Sequence, residues 1–127
     1  MSFSKKDKSS PENKVRRGRE FEKLAAKYFT DHQFTILDRN WQAGHKELDL
    51  VVRKDDLVVF VEVKSAGGRK FGHPVERVDE RKVKRLTSAA REYLQTHELS
   101  NCDFRFDVVT FLEGIIEHFP GAFQAEE

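Results

Sequence analysis

A chain of 127 residues, 35% charged and 38% hydrophobic, is long enough for one hydrophobic core and too short for two, so a single domain must carry any site. It holds no apolar run of membrane-spanning length, its polar start from Met1 to Asn13 fits neither a secretory signal nor an anchor, and the lone Cys102 excludes an internal disulfide; a cytoplasmic, reducing location is expected. The net charge of +1 conceals four blocks, +4 over residues 1–20, −2 over 21–63, +6 over 64–91 and −7 over 92–127. Basic blocks of this kind either attract a polyanion or solvate a helix face.

Residues 1–14, rich in Ser and Lys with Pro11, lack an apolar period and predict a disordered basic arm. From Val15 to about His32, Phe21, Leu24, Ala25, Tyr28 and Phe29 recur three and four apart, which predicts a helix burying that face. Phe34 to Leu37 begins an extended segment that is interrupted around Asn40 to His45. Glu47 to Val52 follows as a strand. Leu57 to Lys64 is almost continuously apolar, as a central strand covered on both faces should be. Ser65 to Pro74, with three glycines, Arg69 and Lys70, predicts a mobile loop. A second helix is expected from Asp79, its N-cap, to about His97, with Val83, Leu86, Ala90, Tyr93 and Leu94 inward. Phe104 to Leu112, the turn Glu113-Gly114 and Ile115 to Phe119 form a hairpin. The order α-β-β-β-α-β-β predicts an α/β fold, a central mixed β-sheet flanked by helices, as one domain over 15–123 with a tail at 124–127.

Residues two apart on a strand share a face about 6.6 Å apart, so Glu62 and Lys64 project together while Val59, Val61 and Val63 fill the other side. With Asp55-Asp56 as the hairpin turn, Lys54 faces Leu57 and Asp49 falls opposite Glu62; a four-residue loop would put Glu47 there instead. Either register gathers Glu47, Asp49, Glu62 and Lys64 on one face. Close carboxylates repel unless a proton or cation lies between them, and hard oxygen ligands suit Mg2+ or Mn2+. Such an ion polarises a phosphate oxygen and acidifies a bound water, while a compact lysine beside it stabilises developing charge. A solvated surface strand with Lys64 neutralising its neighbours has the same spacing. Arg77, Arg81, Lys84, Arg85 and Ser88 recur at helical spacing, as either a phosphate-contacting stripe or an exposed face requires. Trp41 either stacks on a base or packs under the first helix, which is the commoner fate of a single tryptophan. His45, His73 and Cys102 lack zinc-ligand spacing, and Asp107 is assigned only hydrogen bonding within the sheet.

Glu47-Leu48-Asp49-Leu50, Phe60-Val61-Glu62-Val63-Lys64, Arg105-Phe106-Asp107-Val108-Val109 and the closing His118 to Phe123 together resemble the YraN-like family, a bacterial group within the PD-(D/E)XK nuclease superfamily. The resemblance covers about Gly18 to Phe123. It implies a restriction-endonuclease-like core, similar also to archaeal Holliday junction resolvases, with Glu22, Asp49, Glu62 and Lys64 catalytic and Asp49 and Glu62 holding Mg2+ or Mn2+. Nucleic-acid contacts are expected from Lys46, Arg69, Lys70, Arg81, Lys82 and Arg85. The expected function is a metal-dependent endonuclease acting on DNA, branched or structured DNA included, as a homodimer and without a membrane partner. The alternative is a catalytically weak nucleic-acid-binding module of the same fold. Phe21 and Lys46 depart from the family pattern, each replacing a glycine, and each places a bulky side chain near the expected cleft.

Overall fold

The computed structural model describes residues 11–65 and 80–125, with side chains from Gly18 onward. The loop at 66–74, His73, Arg77 and the Asp79 cap therefore lie outside the described residues, as do residues 1–10. The elements are α1 (Pro11–Asp31), β1 (Thr35–Ala43), β2 (Lys46–Lys54), β3 (Leu57–Ser65), α2 (Glu80–Thr96), β4 (Asp103–Leu112) and β5 (Ile115–Phe123), in the expected order. Helix α1 begins inside the stretch expected as an arm, because a proline at the first helical position has a preset φ and lacks an N–H that would have had no partner there. Both helices end the same way. Gln33 and Glu98 take positive φ, and Phe34 N–H and Leu99 N–H reach back to the carbonyls of Phe29 and Leu94, closing the final turn.

The five strands form one sheet in sequence order, antiparallel except for the parallel pair β3–β4 that α2 connects. The expected interruption between Asn40 and His45 is narrowed to the turn at Gly44 and His45, and β1 runs to Ala43. Its irregularities are a register shift between Ile36 and Asp38 and a positive φ at Asn40, which an asparagine tolerates better than most residues. At the tip of the β4–β5 hairpin, Glu113 and Gly114 both have positive φ, the twist that a two-residue hairpin turn needs.

Each face of the sheet carries one helix. On one side Ala25, Ala26 and Phe29 of α1 pack on Leu50, Val52, Val59, Val61, Val109 and Phe111. On the other, Leu86, Ala89, Ala90, Tyr93 and Leu94 of α2 pack on Leu48, Val51, Val58, Phe60 and Phe106. Burial on both sides is why β3 reads as a nearly unbroken apolar run. The alanines bring both helix backbones close to the sheet. Leu24 departs from expectation: it is 51% exposed, turned out of the core although it shares the apolar spacing of its neighbours.

Candidate functional site at the junction of β2, β3 and α2

The hairpin adopts the first of the two registers considered, with Lys54 opposite Leu57 and pairing continuous to Leu50 opposite Val61. One step further, where Asp49 would face Glu62, the paired ladder stops and Asp49 Oδ2 accepts a hydrogen bond from Val63 N–H at 3.0 Å. The carboxylate is thus tied to the backbone beside Glu62. Leu48 and Val51, three residues apart, pack into the same core cluster, so strict alternation fails between them. This leaves Leu48 buried while Glu47 and Asp49 both border a cavity of about 360 Å³. His45, Lys46, Glu62, Lys82, Arg85 and Leu86 complete its lining.

Asp49 carries the largest electrostatic burden in the cavity. Its pKa is pushed up to about 7, first by burial and then by Glu62, with smaller contributions from Glu22 and Glu47, against the opposing pull of the Val63 N–H. Glu22 of α1 is therefore close enough to act on Asp49, although its own side chain borders a separate depression with Arg19, Lys23 and Arg39. Glu62, with its side chain 12% exposed, forms an ion pair through Oε2 with Nζ of Lys82 from α2. Lys46 reaches Glu92 at 2.9 Å and Ser88 at 3.1 Å, pinning the β1–β2 turn to α2.

Lys64 is partly buried, two residues beyond Glu62 and opposite Thr110 of β4, and it is outside the cavity lining. Arg81 and Arg85 are exposed on the first two turns of α2, with Arg85 at the cavity, while Arg69 and Lys70 fall outside the described residues. Phe21 does not crowd the cleft as expected. It stacks on Phe111 with ring centroids 5.1 Å apart, on the α1 side of the sheet, so its apolar ring has a place in the core. Trp41 packs not under α1 but against Tyr93 and His97 on the side of α2, because its strand position points it to that face. Among the described residues no group of three or more His, Cys, Asp or Glu side chains is gathered to hold a metal ion.

The hydrogen bonding expected of Asp107 within the sheet is present, but Asp107 is the centre of a polar cluster larger than the sequence implied. Asp107, fully buried in β4, takes Arg105 Nε at 2.7 Å, Arg105 Nη2 at 2.8 Å, His118 Nε2 at 2.6 Å and Gly121 N–H at 3.0 Å. Nδ1 of His118 lies 3.1 Å from the Tyr28 hydroxyl, extending the chain from β4 through β5 to α1. Burial alone would raise the Asp107 pKa, but the bonds from His118, Arg105 and Gly121 outweigh it and hold the carboxyl below its ordinary range. The available signal was a lone carboxylate between Phe106 and Val108 in an otherwise apolar strand.

These features define a mixed α/β protein, a five-stranded sheet between two helices with a carboxylate-bearing cavity at one end of its central hairpin. Residues 21–111 match the family described as "Uncharacterised protein family UPF0102", and the chain belongs to that family, the YraN-like group that its motifs resemble. It is 34% identical over 122 residues to the UPF0102 protein of Myxococcus xanthus (strain DK1622), covering 93% of this chain and 97% of that one. It is 39% identical over 113 residues to the UPF0102 protein of Syntrophotalea carbinolica, with 86% and 92% covered. The UPF0102 protein of Chromohalobacter salexigens is 44% identical over 94 residues, with 74% and 76% covered. No described helix is long and apolar enough to cross a membrane.

Proposed function

We propose that this protein is a metal-dependent endonuclease of the PD-(D/E)XK type, built on a restriction-endonuclease-like core and acting on branched or otherwise structured DNA. The observation that carries the reading is the Asp49 carboxylate, tied beside Glu62 at a polar cavity, where burial first and the neighbouring carboxylates second raise its pKa to about 7. A divalent cation relieves that burden. The donor set fits one: two carboxylates from adjacent strands supply hard oxygen ligands, and water completes the shell, as Mg2+ prefers. When bound, the ion polarises a phosphate oxygen and acidifies an attacking water.

The chain's own residues do the rest. The Val63 N–H fixes the orientation of Asp49, and Glu22 adds negative potential from α1. Arg85 and Lys82 at the cavity, with Arg81 nearby, supply a cationic approach for phosphates. Lys64, on the same strand as Glu62, is assigned to the charge that develops on the phosphate. One domain offers one cleavage centre, so two copies serve a two-stranded substrate.

Calorimetry with Mg2+ and Mn2+, followed by cleavage assays on junction, flap and single-stranded DNA, tests the reading. Wild type binds metal and cleaves; Asp49→Asn with Glu62→Gln folds but does neither. DNA binding with neither metal uptake nor cleavage would identify a binding module of the same fold instead.

A further inference from the structure

We infer that Lys82 is a resident counter-ion that couples metal loading to phosphodiester binding, an inference that rests on the nuclease reading above. Lys82 and Glu62 come from different elements, and the Lys82 ammonium occupies an oxygen of a proposed metal ligand. An ammonium and a divalent ion compete for that oxygen, because two cations within about 4 Å repel strongly in a partly dehydrated cavity. Metal entry at Glu62 Oε2 therefore displaces Lys82.

The displaced side chain has somewhere to go. It is 36% exposed, sits on the first turn of α2, and has a flexible four-carbon stem. Swung off Glu62, its ammonium stays at the rim beside Arg85, which borders the same cavity. A phosphodiester entering there gains a second cationic contact only when Lys82 has left Glu62. Metal and DNA thus favour the same Lys82 position, and each strengthens binding of the other by the same factor. Without DNA, Lys82 competes with the metal for Glu62 and keeps the centre poorly loaded.

The test is calorimetric titration of the full chain with Ca2+, which avoids turnover, with and without a four-way DNA junction. Wild type is expected to bind Ca2+ about tenfold more tightly when the junction is present. Lys82→Met is expected to bind Ca2+ about tenfold more tightly than wild type without DNA, and to lose most of the enhancement by DNA. Lys82→Gln repeats the measurement if the methionine variant unfolds. Unchanged or weaker Ca2+ binding in both variants overturns the counter-ion role. If wild type binds Ca2+ through Asp49, as loss in Asp49→Asn shows, while Lys82 variants match wild type, the counter-ion role and its coupling fail and the nuclease reading stands. If neither wild type nor any variant binds Ca2+, the nuclease reading fails and the coupling fails with it.

Discussion

Replacing Asp49 by asparagine should stabilise the metal-free protein at alkaline pH. A raised carboxyl pKa means that the folded chain holds a proton more tightly than the unfolded one, so stability falls as pH rises from about 4 to about 7 and is flat beyond. The displacement from 3.8 to about 7, at 1.36 kcal/mol per unit, sets a ceiling of about 4 kcal/mol on the cost of the ionised group. Asparagine removes the charge and can still accept the Val63 N–H through its carbonyl oxygen. Its new amide must find a partner, at a cost of about 1–3 kcal/mol if it does not. A net gain of about 1–3 kcal/mol at pH 8.5 is therefore expected, shrinking towards zero or reversing at pH 4. Urea unfolding in EDTA, followed by the fluorescence of Trp41, measures it at both pH values. Millimolar Mg2+ should narrow the gap by stabilising wild type alone. A variant no more stable than wild type at pH 8.5 would refute the idea that Asp49 is an electrostatic liability retained for a ligand.

Other expectations concern the frame around the site. Asp107→Asn should cost about 3–5 kcal/mol by leaving Arg105 and His118 without their buried carboxylate, measured by denaturant unfolding at pH 7. Because the Asp107 pKa is held below its ordinary range, wild type keeps this contribution above pH 4 and loses it as pH falls through the folded value; the variant's acid-unfolding curve should lack that component. Phe21→Ala should lower stability by about 2–4 kcal/mol through loss of the stacked contact with Phe111, while leaving metal affinity unchanged by calorimetry. Gly114→Ala should cost about 1 kcal/mol in thermal unfolding, a purely conformational penalty, since φ is +80° and an added Cβ meets nothing within 4 Å.

Much of the frame was legible in the residues. Valine at 58, 59, 61 and 63 marked a strand buried on both sides, and the spacing of Val83, Leu86, Ala90, Tyr93 and Leu94 marked the buried stripe of α2. The residues placed Glu47, Asp49 and Glu62 on one face but left two hairpin registers open, and the structure chose the one with the Asp55-Asp56 turn, which sets Asp49 near Glu62. Leu24 and Trp41 were harder to place. Periodicity gives a stripe but not its edges, and it does not say which of two helices covers a strand's face.

The sequence by itself determined the order of elements, the mixed sheet and the carboxylate-bearing hairpin, since these follow from short-range pattern and turn chemistry. Only the tertiary structure decided which cation meets which carboxylate. Lys82 stands 20 residues from Glu62, and His118 stands 90 from Tyr28, yet each pair is in contact because α2 packs on the sheet and β5 pairs at its edge beneath α1. Charge partners chosen across such distances depend on packing, and packing is a property of the whole chain.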